Sequence, residues 1–368
     1  MKKIPLAKPY LGKEEIQEVT KVIKSGILGL GPKLPEFEKE FAKYIGTKYA
    51  VAVNSGTSAL HMCVRALNLG PGDEVITTPF SFVASSNPIM MEGAKPVFVD
   101  IEEDTYNIDP EKIEKAITPN TKALLIVHLF GRPCNMDRVM KIAEKHNLPI
   151  IEDACEAIGA KFKNKKVGTF GLLAVFAFYP NKQMTTGEGG MIVTNDENLY
   201  LHLRSLRNQG RNEDGEWCTH VRLGYNYRLD EMGCAMGLVQ LKRIPFFLKE
   251  RKNVALKYIK ELKNCKMLKT MPLHKDQNIS WWVFFLQLVD DTIDRECLLN
   301  YLNQRGISSR AYFYPPIHLQ TFYKEKFGYK KGDFPIAEQV SERGFVIPFF
   351  VGLKEDQIKK ICGALNNY

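Results

Sequence analysis

Long apolar runs are missing from this sequence of 368 residues. A membrane-spanning helix needs about 20 consecutive apolar residues, and stretches such as 123–127 and 283–285 are far shorter. We therefore expect no membrane span. The charged N-terminal segment 1–5 is not followed by the apolar core of a signal peptide, so we also expect no export and a cytoplasmic location.

Cysteine and histidine patterns typical of metal sites are also missing. The eight cysteines are scattered, with no Cys-x-x-Cys pair and no Cys/His cluster at zinc spacing, so we expect reduced thiols and no metal. The net charge is +9, from 51 Lys and Arg against 42 Asp and Glu. Because no nucleic-acid-binding motif accompanies this charge, it favours a small anionic substrate over nucleic acid.

Short β-rich runs alternate with helical patterns between residues 49 and 193, which favours an α/β fold with a mainly parallel sheet covered by helices. The predicted strands are 49–53, 74–77, 96–99, 123–128, 149–152, 174–178 and 191–193. After about residue 228 the pattern changes to two long helices, 232–249 and 251–262, followed by a strand and shorter helices. We expect residues 1–240 to form an N-terminal arm and a large domain, and residues 241–368 a smaller α+β domain.

Three segments at the ends of predicted strands carry residues suited to chemistry. Segment 54–60 opens a helix after a strand, where glycine and free amide groups attract phosphate, although an ordinary Ser/Thr helix cap has the same pattern. Asp153 ends a strand and can either face a ligand or cap a helix. Lys182 lies between an aromatic strand and a glycine-rich turn, where desolvation would free its amine for Schiff-base chemistry, whereas most lysines are surface charges.

In this order the three segments match the attachment points of pyridoxal 5′-phosphate (PLP), which are its phosphate, its ring nitrogen and its aldehyde. The chain also contains, in order, NSGTSALH, TTPFSFVAS, GAKPVFVDI, VHLFGRP, EDACEAIGA, YPNKQMTTGEGG, GYNYRLDEMGCAMGLVQLKR and YFYPPIHLQ. On these motifs it resembles the DegT/DnrJ/StrS family of PLP-dependent sugar aminotransferases. The resemblance implies a type I PLP-dependent transferase fold, similar to aspartate aminotransferase, with a seven-stranded, mainly parallel sheet.

The resemblance assigns roles to the residues that would hold the cofactor. Lys182 matches the lysine that binds PLP covalently, and Asp153 matches the aspartate that pairs with the pyridinium nitrogen. The phosphate-binding turn corresponds to Gly56, Thr57 and Ser58. We therefore expect Lys182 and Asp153 to be catalytic and all five residues to contact PLP.

Four further positions follow from the same resemblance. Phe82 matches an aromatic residue that stacks on the cofactor ring, and Glu156 lies where many relatives carry Gln or His near the 3-hydroxyl. Asn226 matches an asparagine that reaches the phosphate of the neighbouring subunit, so a homodimer with shared active sites is expected, although Asn226 also suits a simple turn. Ala177 replaces a serine whose hydroxyl contacts the phosphate in many relatives, which removes one hydrogen bond of roughly 1–3 kcal/mol.

The resemblance also implies the reaction, in which L-glutamate supplies an amino group to the keto group of a nucleotide-linked sugar for amino-sugar and polysaccharide biosynthesis. The segments EDACEA and NKQMTTGEGG are closest to members that aminate C4 of a 4-keto-6-deoxy sugar, while amination at C3 or of a keto-cyclitol stays open. A dehydratase branch carries histidine at the lysine position, so Lys182 favours amino transfer. A PLP-binding regulator is a further alternative, for which no DNA-binding motif is visible. Arg228, Tyr314 and His318 are candidate substrate contacts, and packing roles suit each of them equally well.

Overall fold

A computed structural model of the chain describes residues 3–212 and 219–368. The strands in these two ranges are β1 (Tyr49–Val53), β2 (Glu74–Thr77), β3 (Lys95–Phe98), β4 (Thr121–Val127), β5 (Ile150–Asp153), β6 (Lys161–Phe162), β7 (Lys165–Lys166), β8 (Leu173–Ala177), β9 (Gly190–Thr194), β10 (Leu268–Thr270), β11 (Gln277–Asn278), β12 (Phe284–Leu288), β13 (Arg310–Ala311) and β14 (Gly344–Ile347).

The helices of the same ranges are α1 (Lys13–Ser25), α2 (Lys33–Ile45), α3 (Gly56–Ala66), α4 (Asn87–Met91), α5 (Pro110–Ala116), α6 (Met136–Lys145), α7 (Glu197–Arg207), α8 (Glu231–Glu261), α9 (Arg295–Gln304), α10 (Thr321–Phe327), α11 (Pro335–Arg343) and α12 (Glu355–Asn366). Within these residues, no helix has both the length and the apolar character that a membrane crossing requires.

The central sheet has seven strands in the order β1-β9-β8-β5-β4-β2-β3. β9 pairs antiparallel with both of its neighbours, and the other pairs in this sheet are parallel. The expected α/β fold with a mainly parallel, seven-stranded sheet is therefore confirmed.

The apolar run in β4 shows why the sheet is covered on both faces. Ala123, Leu125 and Val127 belong to one hydrophobic cluster, whereas Leu124 and Ile126 belong to another. Alternate side chains of a strand point to opposite faces, and strands buried on both faces have continuous apolar sequences. The sequence of β4 thus requires helices above and below it.

The C-terminal part of the chain forms an antiparallel sheet in the order β10-β12-β14-β13. Its residues Leu286 and Phe345 belong to the same hydrophobic cluster as Val53 and Leu125 of the central sheet. The two sheets therefore share one continuous core. This core holds the C-terminal sheet in place against the large sheet.

Helix α8 differs from the sequence-based expectation of two helices at 232–249 and 251–262. It is one continuous helix of 31 residues, and the predicted domain boundary between residues 240 and 241 falls inside it. The polar sequence around residue 250 suggests a break, but Arg251 is buried. Its guanidinium donates hydrogen bonds to the backbone oxygens of Trp281 (3.2 Å), Trp282 (3.1 Å) and Lys182 (3.0 Å), and these bonds stabilise the helix at that point.

A buried carboxylate fixes the loop between β7 and β8. Glu152, in β5, accepts hydrogen bonds from the backbone amides of Gly168 (2.7 Å), Phe170 (2.8 Å) and Gly171 (2.7 Å), and its Oε2 lies 3.0 Å from His128 Nε2. Burial raises the pKa of Glu152, but the hydrogen bonds from His128 and the backbone outweigh burial and leave this pKa below its ordinary value. The folded protein therefore holds Glu152 as a carboxylate.

We predict that Glu152→Gln lowers the free energy of unfolding by about 2–4 kcal/mol, because the amide nitrogen of glutamine would face donor groups. Urea unfolding of both proteins measures the difference. The exposed substitution Glu103→Gln is the control and should change stability by no more than about 0.5 kcal/mol. Equal stabilities of Glu152→Gln and Glu103→Gln would contradict the structural role of this carboxylate.

Candidate active site

The polar segments predicted from the sequence meet at one edge of the central sheet. β1 and β8 both run antiparallel to β9, so they share the direction of β5. Their carboxyl ends consequently lie at the same edge, where ligands bind in sheets of this kind. Gly56 follows β1, Asp153 ends β5 and Lys182 follows β8.

Asp153 is held in one orientation by hydrogen bonds. Its Oδ2 accepts a hydrogen bond from Ser85 Oγ at 2.7 Å, and its Oδ1 accepts one from the backbone amide of Cys155 at 3.2 Å. Ser85 Oγ is also 2.9 Å from Ser81 Oγ. A buried and fixed carboxylate of this kind can pair with a protonated ring nitrogen.

Lys182 has a nearly buried side chain, of which 12% is exposed. Its Nζ lies 3.8 Å from Glu156 Oε1 and 3.6 Å from the centroid of the Trp282 ring. Its backbone amide donates to the oxygen of Tyr179 at 2.9 Å, and its own oxygen accepts from Arg251. The amine is thus placed between a carboxylate and an indole ring.

Glu156 contacts Lys182 on one side and the backbone on the other. Its Oε2 accepts a hydrogen bond from the amide of Phe130 at 2.8 Å. Burial raises the pKa of Glu156 to about 7, while the charge of Lys182 and the Phe130 amide act in the opposite direction. Glu156 can therefore gain or lose a proton near neutral pH, right beside the lysine amine.

Gly56 and Thr57 form the first turn of α3, where backbone amides have no partner within the helix and attract anions. Ser55 caps the helix by accepting a hydrogen bond from the amide of Ser58 at 3.0 Å. A Cβ atom on Gly56 would lie 2.8 Å from the Cβ of Ala177, which is too close. Glycine is therefore required here, and Ala177 lies directly beside the start of α3.

Phe82 is 61% exposed and begins the short turn 83–85, which brings Ser85 to Asp153. The Phe82 side chain is thereby positioned near the end of β2, three residues before a residue that contacts Asp153. Stacking on a cofactor ring stays a prediction for it.

Asn226 is exposed and lies beside the beginning of α3. The backbone amide of Asn54 donates to the oxygen of Tyr227 at 2.9 Å, and Val53 forms an isolated bridge with Arg228. Arg228 is half-buried, and its Nη1 donates to Asn208 Oδ1 at 2.8 Å. The backbone of Tyr227 and Arg228 thus lies beside the end of β1, just before the predicted phosphate turn of the same chain.

A polar network that the sequence analysis missed fixes the segment around Asn226. Glu92 accepts hydrogen bonds from Tyr225 Oη (2.9 Å) and Arg65 Nη1 (3.0 Å), and its Oε1 is 2.7 Å from His61 Nε2. His61 Nδ1 is 3.0 Å from Tyr227 Oη. The tyrosines on either side of Asn226 are therefore both tied to this network. In the sequence, the signal for this network is His61 in α3 together with the Tyr-Asn-Tyr sequence at 225–227.

Two of the candidate substrate contacts have partners outside this group. Tyr314 is exposed, and the guanidinium of Arg295 lies 4.2 Å from the centroid of the Tyr314 ring. His318 is 0% exposed, and its Nε2 lies 3.0 Å from Glu338 Oε1. Burial lowers the pKa of His318. The complete burial of His318 favours the packing role over the substrate contact.

The residues at this sheet edge fit PLP. They supply an amine on Lys182, a fixed carboxylate on Asp153 and helix amides at Gly56 and Thr57, which are the groups that bind its aldehyde, ring nitrogen and phosphate. Ala177 and Cys155 pack directly against Gly56, so a side chain at position 56 would not fit at the start of α3. By contrast, no group of three or more residues suited to a metal ion is found in 3–212 and 219–368.

We predict that Glu156 gives the cofactor-free protein a distinct pH dependence of stability. Between its ordinary pKa of 4.5 and its folded value of about 7, the folded protein holds a proton that the unfolded chain has released. The contribution of Glu156 to stability is therefore fully present below pH 4.5 and is lost as the pH rises through the folded-state pKa of about 7. Glu156→Gln should thus gain stability relative to the original protein as pH rises, by on the order of 2 kcal/mol.

Urea unfolding at about pH 5 and about pH 8 tests this difference, because the two conditions lie on either side of the expected titration. The same difference between the two proteins at both pH values would contradict the raised pKa of Glu156.

The chain matches the DegT/DnrJ/EryC1/StrS aminotransferase family over residues 9–366. The spore coat polysaccharide biosynthesis protein SpsC of Bacillus subtilis is 38% identical over 375 residues, covering 99% of this chain and 96% of SpsC. GDP-perosamine synthase of Escherichia coli O157:H7 is 38% identical over 369 residues, covering 100% of this chain and 99% of that enzyme. The structure of Helicobacter pylori PseC, an aminotransferase involved in the biosynthesis of pseudoaminic acid, gives a TM-score of 0.95 at 32% identity, covering 100% of this chain and 99% of PseC.

The family match includes every site residue described above, and the structural match extends over the whole fold. The resemblance inferred from the sequence motifs is therefore confirmed, together with the type I fold, the aminotransferase activity and the cofactor that it implies. The chain belongs to the DegT/DnrJ/EryC1/StrS family and is a PLP-dependent aminotransferase.

Proposed function

We propose that this aminotransferase moves an amino group from L-glutamate to the keto group of a nucleotide-linked sugar, at C4 of a 4-keto-6-deoxyhexose. The observation that carries the proposal is the position of Lys182 Nζ, 3.8 Å from Glu156 Oε1 and 3.6 Å from the Trp282 ring centroid. A nearly buried amine next to a titratable carboxylate can attach to an aldehyde and then move protons.

Lys182 has two tasks in this proposal. It binds the cofactor covalently, and once the amino substrate has displaced it, its free amine carries a proton away from the substrate Cα. When bound, PLP supplies an electron-withdrawing ring that makes this proton acidic. Glu156 lies close enough to Lys182 to hold or return a proton, and the Arg251 hydrogen bond to the Lys182 backbone keeps the amine in place.

Asp153 maintains the electron-withdrawing state of the ring, because its negative charge favours a protonated ring nitrogen. Ser85 fixes the orientation of this carboxylate. Phe82, at the start of the turn that carries Ser85, supplies the stacking surface. Each of these roles is carried over from the family motif to the matching residue of this chain.

The phosphate is bound by the first turn of α3 and by Asn226 from a second copy of the chain, so the working unit is a homodimer. The exposure of Asn226 supports this assignment, since its side chain is available to another subunit. The network of Glu92, Tyr225 and Tyr227 holds the backbone on both sides of it. Ala177 supplies no hydroxyl, so the helix amides and Asn226 carry more of the phosphate binding.

The sugar assignment rests on the resemblance of EDACEA and NKQMTTGEGG to family members that aminate C4. It is supported by the likeness to a GDP-perosamine synthase and to SpsC, a polysaccharide biosynthesis protein. The net charge of +9 and the position of Arg228 beside Asn226 suit a substrate with a diphosphate. Tyr314 is exposed and stays a candidate substrate contact.

We predict that the purified protein with PLP has the absorption band of lysine-bound cofactor, and that L-glutamate converts this spectrum to that of the amine form. Lys182→Ala should lose both the band and the response to glutamate, because alanine has no amine. Lys165→Ala is a matched control, since Lys165 is also next to an aromatic ring, 4.4 Å from the centroid of Phe170. The control should behave like the original protein.

The outcomes separate the parts of the proposal. A 4-keto sugar nucleotide that restores the original spectrum after glutamate treatment would support the acceptor. A lysine-bound spectrum that does not respond to glutamate would overturn the donor. The absence of this spectrum in the original protein would overturn the role of Lys182.

A further inference from the structure

A cavity of about 280 Å³ lies next to the segment that leads to Lys182. Tyr179, Pro180 and Asn181, the three residues before Lys182, form one wall. The N-terminal arm around Leu6 and Pro9 forms another. We refer to this space as the arm cavity. None of the roles assigned above uses it.

The arm cavity shares a wall with the environment of Lys182. Trp282 lines the cavity, and its ring is the one that Lys182 Nζ contacts at 3.6 Å. Trp282 Nε1 donates to Asn181 Oδ1 at 3.3 Å, which fixes the indole. A substrate attached at the position of the Lys182 amine therefore has this cavity within reach of its other end.

Among the described residues that line the arm cavity, Arg310 is the one with a charged side chain. It lies in β13, and its guanidinium is 5.2 Å from the centroid of the Tyr312 ring. None of the ion pairs found between residues of 3–212 and 219–368 includes Arg310. An arginine facing a cavity without a carboxylate partner can bind one from a ligand.

Tyr312 connects Arg310 with the reacting groups. Its ring centroid is 5.4 Å from that of Trp282, and it is buried. Burial raises the pKa of Tyr312 to about 12, and both Arg310 and Glu156 are close enough to affect this pKa. Arg310 therefore lies beside Tyr312, whose ring is next to that of Trp282, and Trp282 in turn contacts Lys182.

We propose that Arg310 binds a carboxylate of the amino donor in the arm cavity, so that the cavity is the donor subsite of the active site. This inference rests on the proposed amino transfer from glutamate. The chemistry of the cavity favours a carboxylate over a diphosphate, because it offers a single cation and otherwise uncharged walls. A volume of about 280 Å³ also suits a small amino acid better than a nucleotide sugar.

The test is the binding of glutarate, an unreactive dicarboxylate, to the PLP-loaded enzyme by titration calorimetry. Arg310→Ala should raise the Kd of glutarate about 10- to 100-fold, the effect of losing a charge-assisted hydrogen bond. Arg310→Lys should recover part of this loss, because it keeps the charge without the two-pronged geometry. Arg305→Ala is the matched control, since Arg305 is also exposed and lies on a tyrosine ring, 3.6 Å from the centroid of Tyr301.

Single-turnover kinetics then separate the two substrates. For Arg310→Ala, kcat/KM should fall in the reaction with glutamate and stay unchanged in the reaction with the keto sugar. L-Glutamine, whose side chain is uncharged, identifies the carboxylate. If Arg310→Ala reacts with glutamine as fast as the original enzyme does, Arg310 binds the side-chain carboxylate of glutamate. If the substitution slows the reaction with glutamine as much as the reaction with glutamate, Arg310 binds the α-carboxylate.

Three results would overturn the inference. The first is a Kd of glutarate that is the same for Arg310→Ala and Arg305→Ala. The second is a fall in the kcat/KM of Arg310→Ala that is confined to the sugar reaction, and the third is an equal fall in both reactions. If the original enzyme itself reacts with keto sugar and with another amino donor but not with glutamate, the proposed donor fails. If instead the original enzyme uses glutamate and Arg310→Ala uses it equally well, the donor stands and the role of Arg310 fails.

Discussion

The shared direction of β1, β5 and β8 is the constraint on which the site depends. Parallel strands end at one edge, so the segments that follow them must meet there. A helix start after β1, a carboxylate at the end of β5 and a lysine after β8 become neighbours although up to 126 residues separate Gly56 from Lys182. A sheet with another strand order or direction would leave these groups apart.

Hydrogen bonds from buried polar residues then hold these neighbouring groups in fixed positions. Glu152 binds the loop before β8, Ser85 orients Asp153, and Arg251 holds the backbone of Lys182. Each of these side chains connects segments far apart in the sequence. Unpaired buried charges are costly, so such contacts must form together with the fold. The site therefore acquires its shape as the core assembles.

Much of this arrangement could be predicted from the sequence. The apolar run in β4 required a sheet covered on both faces, and the order of phosphate turn, aspartate and lysine indicated the cofactor. These features are local, since each depends on the pattern within a few residues.

Other features depend on contacts between distant segments, which local patterns do not contain. The sequence predicted two helices, 232–249 and 251–262, yet the Arg251 guanidinium donates hydrogen bonds to three backbone oxygens and α8 continues. His318 suited either a substrate contact or packing, and the structure buries it with its Nε2 3.0 Å from Oε1 of Glu338, 20 residues later. The hydrogen bond from Tyr225 Oη to Glu92 likewise joins residues that are 133 positions apart in the sequence.

Two positions depart from the pattern that the family resemblance implies. Glu156 places a carboxylate with a raised pKa 3.8 Å from the Lys182 amine, at a position where the resemblance leads us to expect Gln or His. Ala177 supplies no hydroxyl beside Gly56, and in the proposed function the helix amides and Asn226 bind the phosphate instead. Both changes affect the cofactor environment without altering the direction of the strands that create it.

The most direct test of the central claim follows the transferred nitrogen atom. The enzyme is incubated with L-glutamate labelled with heavy nitrogen and with a nucleotide-linked 4-keto-6-deoxyhexose, and the product is analysed by mass spectrometry and NMR. The account predicts an amino sugar in which the labelled nitrogen is bonded to C4, together with unlabelled 2-oxoglutarate. A sugar without labelled nitrogen, or with the nitrogen on another carbon, would contradict it.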